Sequence, residues 1–147
     1  MFGNAQQTSQ TGQTENVPQQ EEEQAETSAP DENGSYSSKE DVALYIHTYG
    51  KLPRNFITKS QAEKCGWKTD SYSLSDVAPG CSIGGDRFQD REDQLPDKKG
   101  RHWTECDIDY DGGSHRGAKR IVFSSDGLVY YTGDHYESFE LLYGEGI

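Results

Sequence analysis

The 147-residue chain carries 26 Asp and Glu against 14 Lys and Arg, a formal net charge of −12. No apolar run approaches the roughly 20 residues of a helical membrane span. With no C-x-x-C spacing and with His47, His102, His115 and His135 scattered, a usual zinc site is excluded too. So acidic a chain argues at first against a nucleic-acid partner, because phosphate contacts need Lys and Arg. The position of the charges reverses this: seven of the 26 acids precede residue 36 and all 14 bases follow it, so the body can still hold a local basic cleft.

Residues 1–35 offer only Met1, Phe2 and Val17 as sizeable apolar side chains, too little burial to offset chain entropy. They read as a disordered acidic linker, and residues 36–147 as one domain. Within the domain, Ser38-Lys39-Glu40-Asp41 has the spacing of a capping box, and Val42, Tyr45, Ile46 and Tyr49 recur at helical intervals up to Gly50, which predicts a helix over 40–49. Thr58-Lys59-Ser60-Gln61 repeats the capping pattern before a second, short helix stopped by Gly66. Lys59 in its first turn opposes the helix dipole; taken alone it reads as a solvated surface lysine. Ser73 to Val77 adds one more helical turn before Pro79-Gly80.

The pattern then changes to strands: Ser82 to Phe88, Trp103 to Tyr110, Arg120 to Ser124, Leu128 to Thr132 and Ser138 to Leu142, with a hairpin signal at Ser125-Asp126-Gly127. Helices first and strands afterwards predict an α+β domain, its N-terminal helices packed on one face of a twisted five-stranded antiparallel sheet whose other face is free to bind. Alternation places Glu105, Asp107 and Asp109 on one face, which by itself reads as an ordinary solvent face. Cys81 and Cys106, at the edges of neighbouring strands, are candidates for a disulfide, three free thiols with Cys65 being the alternative.

Several segments together carry more than any one of them: Lys51-Leu52-Pro53, Ile57-Thr58-Lys59-Ser60, Asp76-Val77-Ala78-Pro79-Gly80, Ser82-Ile83-Gly84-Gly85-Asp86, Arg91-Glu92, Asp107-Ile108, Lys119-Arg120-Ile121 and Asp134-His135-Tyr136. In order and in near spacing, from about residue 37 to 143, they resemble the barnase-like microbial guanyl-preferring ribonucleases. The resemblance implies the microbial ribonuclease fold, with single-stranded RNA lying across the open sheet face. It implies Glu105 as general base, His135 as general acid, and Lys59, Arg116 and Arg120 around the scissile phosphate. Guanine recognition falls to Phe88, Gln89, Asp90, Arg91 and Glu92, with Glu92 accepting the base's N1 and N2 protons, backbone amides from Gln89 to Arg91 binding O6, and Tyr136 stacking. Asp86 and Asp107 are expected to orient the cations. Apart from the family match, Glu92 reads as a surface charge and Tyr136 as a half-buried sheet residue.

The chemistry suits those residue types. The 2′-hydroxyl beside each RNA phosphate is a nucleophile already close to phosphorus. A carboxylate to take its proton, an imidazolium to protonate the departing 5′-oxygen, and cations for the charge gained at phosphorus then suffice without metal or cofactor. Three positions depart from the family pattern: Asp90 stands where relatives commonly have Asn, the loop Asp111-Gly112-Gly113-Ser114 is one residue longer, and His115 replaces an aromatic residue. Further expectations are a monomer, a barstar-like inhibitor as a partner, no membrane contact and, from the resemblance alone, secretion. Alternatives are a catalytically weak RNA- or inhibitor-binding module, whose usual mark would be loss of Glu105 or His135, and an intercellular ribonuclease toxin domain using identical chemistry.

Overall fold

The structure, a computed structural model, describes residues 29–68 and 73–144. The linker expected over 1–35 lies outside the described residues as far as residue 28, as does the expected domain's end, 145–147. Residues 30–32 are packed on the domain: the Tyr49 hydroxyl donates to the Pro30 carbonyl at 2.5 Å, the Tyr45 hydroxyl to the Glu32 carbonyl at 2.6 Å, and the Lys51 ammonium to the Glu32 carboxylate at 2.8 Å.

Helix α1, Lys39–Tyr49, starts where the Ser38 hydroxyl accepts from the Asp41 amide and ends at Gly50, whose φ of 71° suits a residue without Cβ. It buries Val42, Ala43, Tyr45 and Ile46. Strand β1 is the pair Phe56–Ile57, and helix α2, Lys59–Lys64, follows with both bonds of a capping box between Thr58 and Gln61. The single turn α3 is Leu74–Val77. Strands β2 (Ser82–Phe88), β3 (Trp103–Asp107), β4 (Arg120–Ser124), β5 (Val129–Thr132) and β6 (Glu140–Tyr143) complete the domain.

The sheet has six strands in the order β1-β2-β3-β4-β5-β6, antiparallel from β2 onward, so the α+β class holds and the five expected strands are present. The sixth, β1, pairs parallel to β2 through Phe56 and Ile57 against Ser82 and Ile83. Two residues are too few to show the alternation by which a strand is recognised in sequence. Strand β3 stops at Asp107, short of the expected Tyr110, because the chain turns through a left-handed residue at Asp109, φ 59°. Strand β6 begins at Glu140, not Ser138, because Ser138 is hydrogen bonded into the preceding turn.

On one sheet face α1 packs Val42, Ala43 and Ile46 on Cys106, Ile108, Ile121 and Val129. Helices α2 and α3 close a neighbouring cluster of Ala62, Trp67, Leu74 and Ile83. The opposite face is only partly free, since a third cluster of Leu95, Trp103, Val122 and Leu128 grows on it beneath Phe88, Tyr130, Tyr136 and Phe139. All three cysteines are free: the strand register sets Cys106 opposite Gly84, not Cys81, and turns its side chain into the core. Burial there pushes the Cys106 thiol well above its ordinary pKa, which leaves it protonated and inert.

One irregularity decides which side chains reach the site. Between Gly84 and Asp86 the pairing of β2 with β3 slips, Gly85 taking a φ of 111°. A slip of one residue exchanges the two faces of a strand. Beyond it Asp86 lies opposite Glu105 and Phe88 opposite Trp103, on the face away from α1. Gly84 itself has no room for a side chain: a Cβ there would lie 2.6 Å from the Cys106 Cβ and 2.7 Å from Phe56 Cδ1.

Candidate active site

Register carries the chemistry across the sheet. Directly opposed residues of an antiparallel sheet share a face, so Asp86, Glu105, Val122 and Tyr130 form one row and Asp107, Arg120 and Thr132 the next. Glu105 is half-buried, and its Oε1 accepts a very short hydrogen bond from the Tyr136 hydroxyl. Burial, and then the bond to Glu105, push the Tyr136 phenol well above its ordinary pKa, so it remains a neutral donor to the carboxylate.

In the second row the Asp107 carboxylate, 1% exposed, gathers two cations. Arg116 grips it with Nε and Nη2, each at 2.7 Å, and Arg120 Nε lies 3.1 Å from Oδ1. Burial disfavours the charge of Arg116, but the bonds to Asp107 and its negative charge outweigh this and raise the guanidinium pKa. Arg120 is the more deeply held, 3% exposed against 24% for Arg116, and it also donates from Nη1 to the carbonyls of Gly117 and Lys119. Its guanidinium carbon is 6.0 Å from the centre of the Tyr136 ring. The added length of the 111–114 loop has therefore not carried Arg116 away from Arg120.

Phe88, Gln89, Asp90, Arg91 and Glu92 line, with Glu105 and Tyr136, a cleft of about 300 Å³, and Phe88 stacks on Tyr136 with ring centres 5.0 Å apart. Asp90 sits at φ 40°, and its carboxylate accepts from the amides of Gln94 at 2.9 Å and Leu95 at 3.0 Å. Its extra charge, relative to Asn, is thus turned into the loop and met by amide dipoles. Asp86 accepts from the Lys59 amide at 3.0 Å, which places a carboxylate at the start of α2 and offsets the unfavourable lysine there. Lys59 stands next to the row of Glu105 through this bond.

His135 follows β5 on an exposed turn, at φ 55°, its amide bonded to the Ala118 carbonyl at 3.0 Å and its ring edge-on to Tyr136 at 4.8 Å between centres. The Asp134 carboxylate accepts hydrogen bonds from Thr132, Glu137 and Ser138. Bonds from Ser138 first, and then from Thr132, hold this carboxyl down at about 2. Expected site residues thus divide into a base cleft, a paired-arginine cluster and the histidine turn, with Tyr136 touching all three. Arg87 and Gln94 also line the cleft and were not anticipated; Arg87 offered no signal beyond being a strand cation. His115 is an exposed loop residue directly before Arg116.

One sheet face thus carries a carboxylate and paired guanidiniums beside an aromatic cleft, with an imidazole on the adjoining turn, groups suited to holding a phosphate and a ring-bearing ligand. The family profile described as ribonuclease matches residues 39–143. Ribonucleases of Heyndrickxia coagulans and Bacillus intermedius are each 53% identical to this chain over 98 residues, 67% of its length. That alignment spans 89% of the first relative and 60% of the second. Guanyl-specific ribonuclease St of Saccharopolyspora erythraea is 42% identical over 75 residues, half of this chain and 74% of that protein. A solved structure, ribonuclease Sa2 with guanosine-2′-cyclophosphate, matches 40% of this chain and 61% of its own at 33% identity and a TM-score of 0.35. The chain belongs to the ribonuclease family, among its barnase-like microbial members. Among the described residues no helix is long and apolar enough to cross a membrane.

Proposed function

We propose that this protein cleaves single-stranded RNA on the 3′ side of guanosine, in two steps through a 2′,3′-cyclic phosphate. Glu105 takes the proton of the 2′-hydroxyl as its oxygen attacks phosphorus, and His135, entering protonated, gives a proton to the 5′-oxygen as the P–O bond to the next nucleotide breaks. Water then opens the cyclic phosphate with the two roles reversed. Arg116, Arg120 and Lys59 stabilise the charge that builds on phosphorus oxygens, Asp107 having fixed the two guanidiniums beforehand. Guanine enters the cleft beside Phe88 and Tyr136, where Glu92 accepts N1-H and N2-H together, a donor pair that adenine lacks.

The observation that carries this reading is the cleft itself: the five residues from Phe88 to Glu92 share one cavity with Glu105, and Tyr136 links that cavity to His135 and Arg120. The test is digestion of GpA and ApA by wild type, Glu105→Ala and His135→Ala with a chelator present. Faster cleavage of GpA is expected, with kcat reduced about 10² to 10⁴-fold in each variant. The wild-type rate should trace a bell against pH. A profile flat from pH 4 to 9, or activity abolished by the chelator, would defeat this mechanism.

A further inference from the structure

His135 and Tyr136 are consecutive residues at positive φ, 55° and 75°. Residues with a Cβ take up this conformation uncommonly, and it persists only where the surroundings impose it. Here they do. Asp134 Oδ1 accepts from the Thr132 hydroxyl at 2.8 Å and from the amides of Ser138 at 2.9 Å and Glu137 at 3.1 Å, and Oδ2 from the Ser138 hydroxyl at 2.6 Å. The Thr132 oxygen in turn accepts from the Tyr136 amide at 3.1 Å. Thr132 is 1% exposed and lies directly opposite Arg120, which lies opposite Asp107. One strand row therefore carries both the arginine and the anchor of the histidine turn.

We propose that Asp134 is a positioning residue for the general acid, acting with Thr132 and Ser138 as a clasp that fixes the His135 ring in register with Glu105 and the arginines. Its carboxylate serves as an acceptor for four hydrogen bonds and not as a counter-ion to the imidazolium. This role rests on the ribonuclease mechanism proposed above. A displacement of about 1 Å at a reacting group can lower a rate about 100-fold, so a slack turn is costly even with every catalytic side chain present.

The chemistry of Asn separates the two roles. In Asp134→Asn the side-chain oxygen still accepts the three Oδ1 bonds and the amide can donate to the Ser138 hydroxyl, but the charge is gone. Asp134→Ala loses every bond. With GpA as substrate, the alanine variant is expected to lose about 10- to 100-fold in kcat, with a smaller change in KM. The asparagine variant should keep most of the activity and the alkaline limb of the pH profile. In a His135→Ala background Asp134→Ala should cost nothing further, because the group it positions is absent. Ser138→Ala, which removes a single bond, should move kcat in the same direction by less, and serves if the alanine variant does not fold. Equal losses for Asn and Ala, multiplying losses in the His135→Ala background, or an unaffected Asp134→Ala would each overturn the proposal. The ring-proton resonances of His135 read the clasp without substrate. They should shift or broaden in Asp134→Ala and not in Asp134→Asn, and an unchanged alanine spectrum overturns the clasp whether or not the wild type cleaves RNA.

Discussion

A single buried carboxylate sets the electrostatics of the arginine cluster. Asp107 is all but inaccessible, and so is Arg120; water cannot solvate either charge if the other is removed. Asp107→Ala should therefore destabilise the fold by about 3–5 kcal/mol, the usual consequence of stranding one partner of a buried pair. Equilibrium unfolding in urea measures this; a change within about 0.5 kcal/mol would mean that Arg120 has found another acceptor or turned to solvent. Asp90 is a different kind of acid. It is spent on the amides of Gln94 and Leu95 in a left-handed residue, a geometry that Asn also supplies. Asp90→Asn should accordingly leave the ratio of kcat/KM for GpA over ApA nearly unchanged, whereas Asp90→Ala should lower it by loosening the loop that carries Glu92. A ratio that rises sharply in Asp90→Asn would show instead that the charge itself repels the ligand.

The slip in β2 is the structural element on which the base side of the site depends, because it turns Asp86 and Phe88 toward Glu105 and Trp103. Gly84→Ala would force a Cβ against Cys106 and Phe56, and overfilling of this kind typically costs about 1–3 kcal/mol. A fall in Tm is expected together with weaker binding of guanosine monophosphate, since β2 must shift away from β3 and carry Phe88 with it; unchanged binding would separate the slip from the cleft. Much at this scale was legible beforehand. The helix caps, the five longer strands and the common face of Glu105 and Asp107 follow from spacing and alternation, which are local. The pairing of Glu105 with His135 that the proposed mechanism needs was not, because the two are distant in the chain and only the family resemblance joined them. Three features escaped for a shared reason: β1, the early end of β3 and the clasp around Asp134 are set by cross-strand partners and by backbone angles, neither of which a run of side chains displays. The predicted open face was half right in physical terms, since Trp103, Val122 and Leu128 needed a second apolar cover and drew the Phe88 and Phe139 segments over them.

For the molecule as a whole, acid and salt probe different charges. Asp126, held by Arg101 and Ser124, and Asp134, held by Ser138 and Thr132, both have their carboxyl pKa lowered to about 2. Groups depressed in the folded state add stability above the unfolded value of about 4 and lose it as pH falls toward 2. Tm should therefore be level down to about pH 4 and drop below it, more gently in Asp126→Asn and Asp134→Asn. Salt addresses the uneven spread of charge instead. A net charge of −12 repels RNA at long range while the arginine cluster attracts it at short range, and only the long-range part is sensitive to residues remote from the cleft. Glu15, Glu21, Glu22, Glu23 and Glu26 lie in the polar N-terminal stretch whose composition predicts a linker, and can be changed to Gln together. At about 0.01 M ionic strength, where charges are felt over about 30 Å, this variant should cleave a long single-stranded RNA faster at low substrate, by up to about 10-fold in kcat/KM. The gain should vanish near 1 M salt, where the range is about 3 Å, and should be small for a dinucleotide, which brings a single phosphate. A gain that survives high salt would point to direct contact between those acids and the site, because screening removes repulsion at a distance and leaves contact in place.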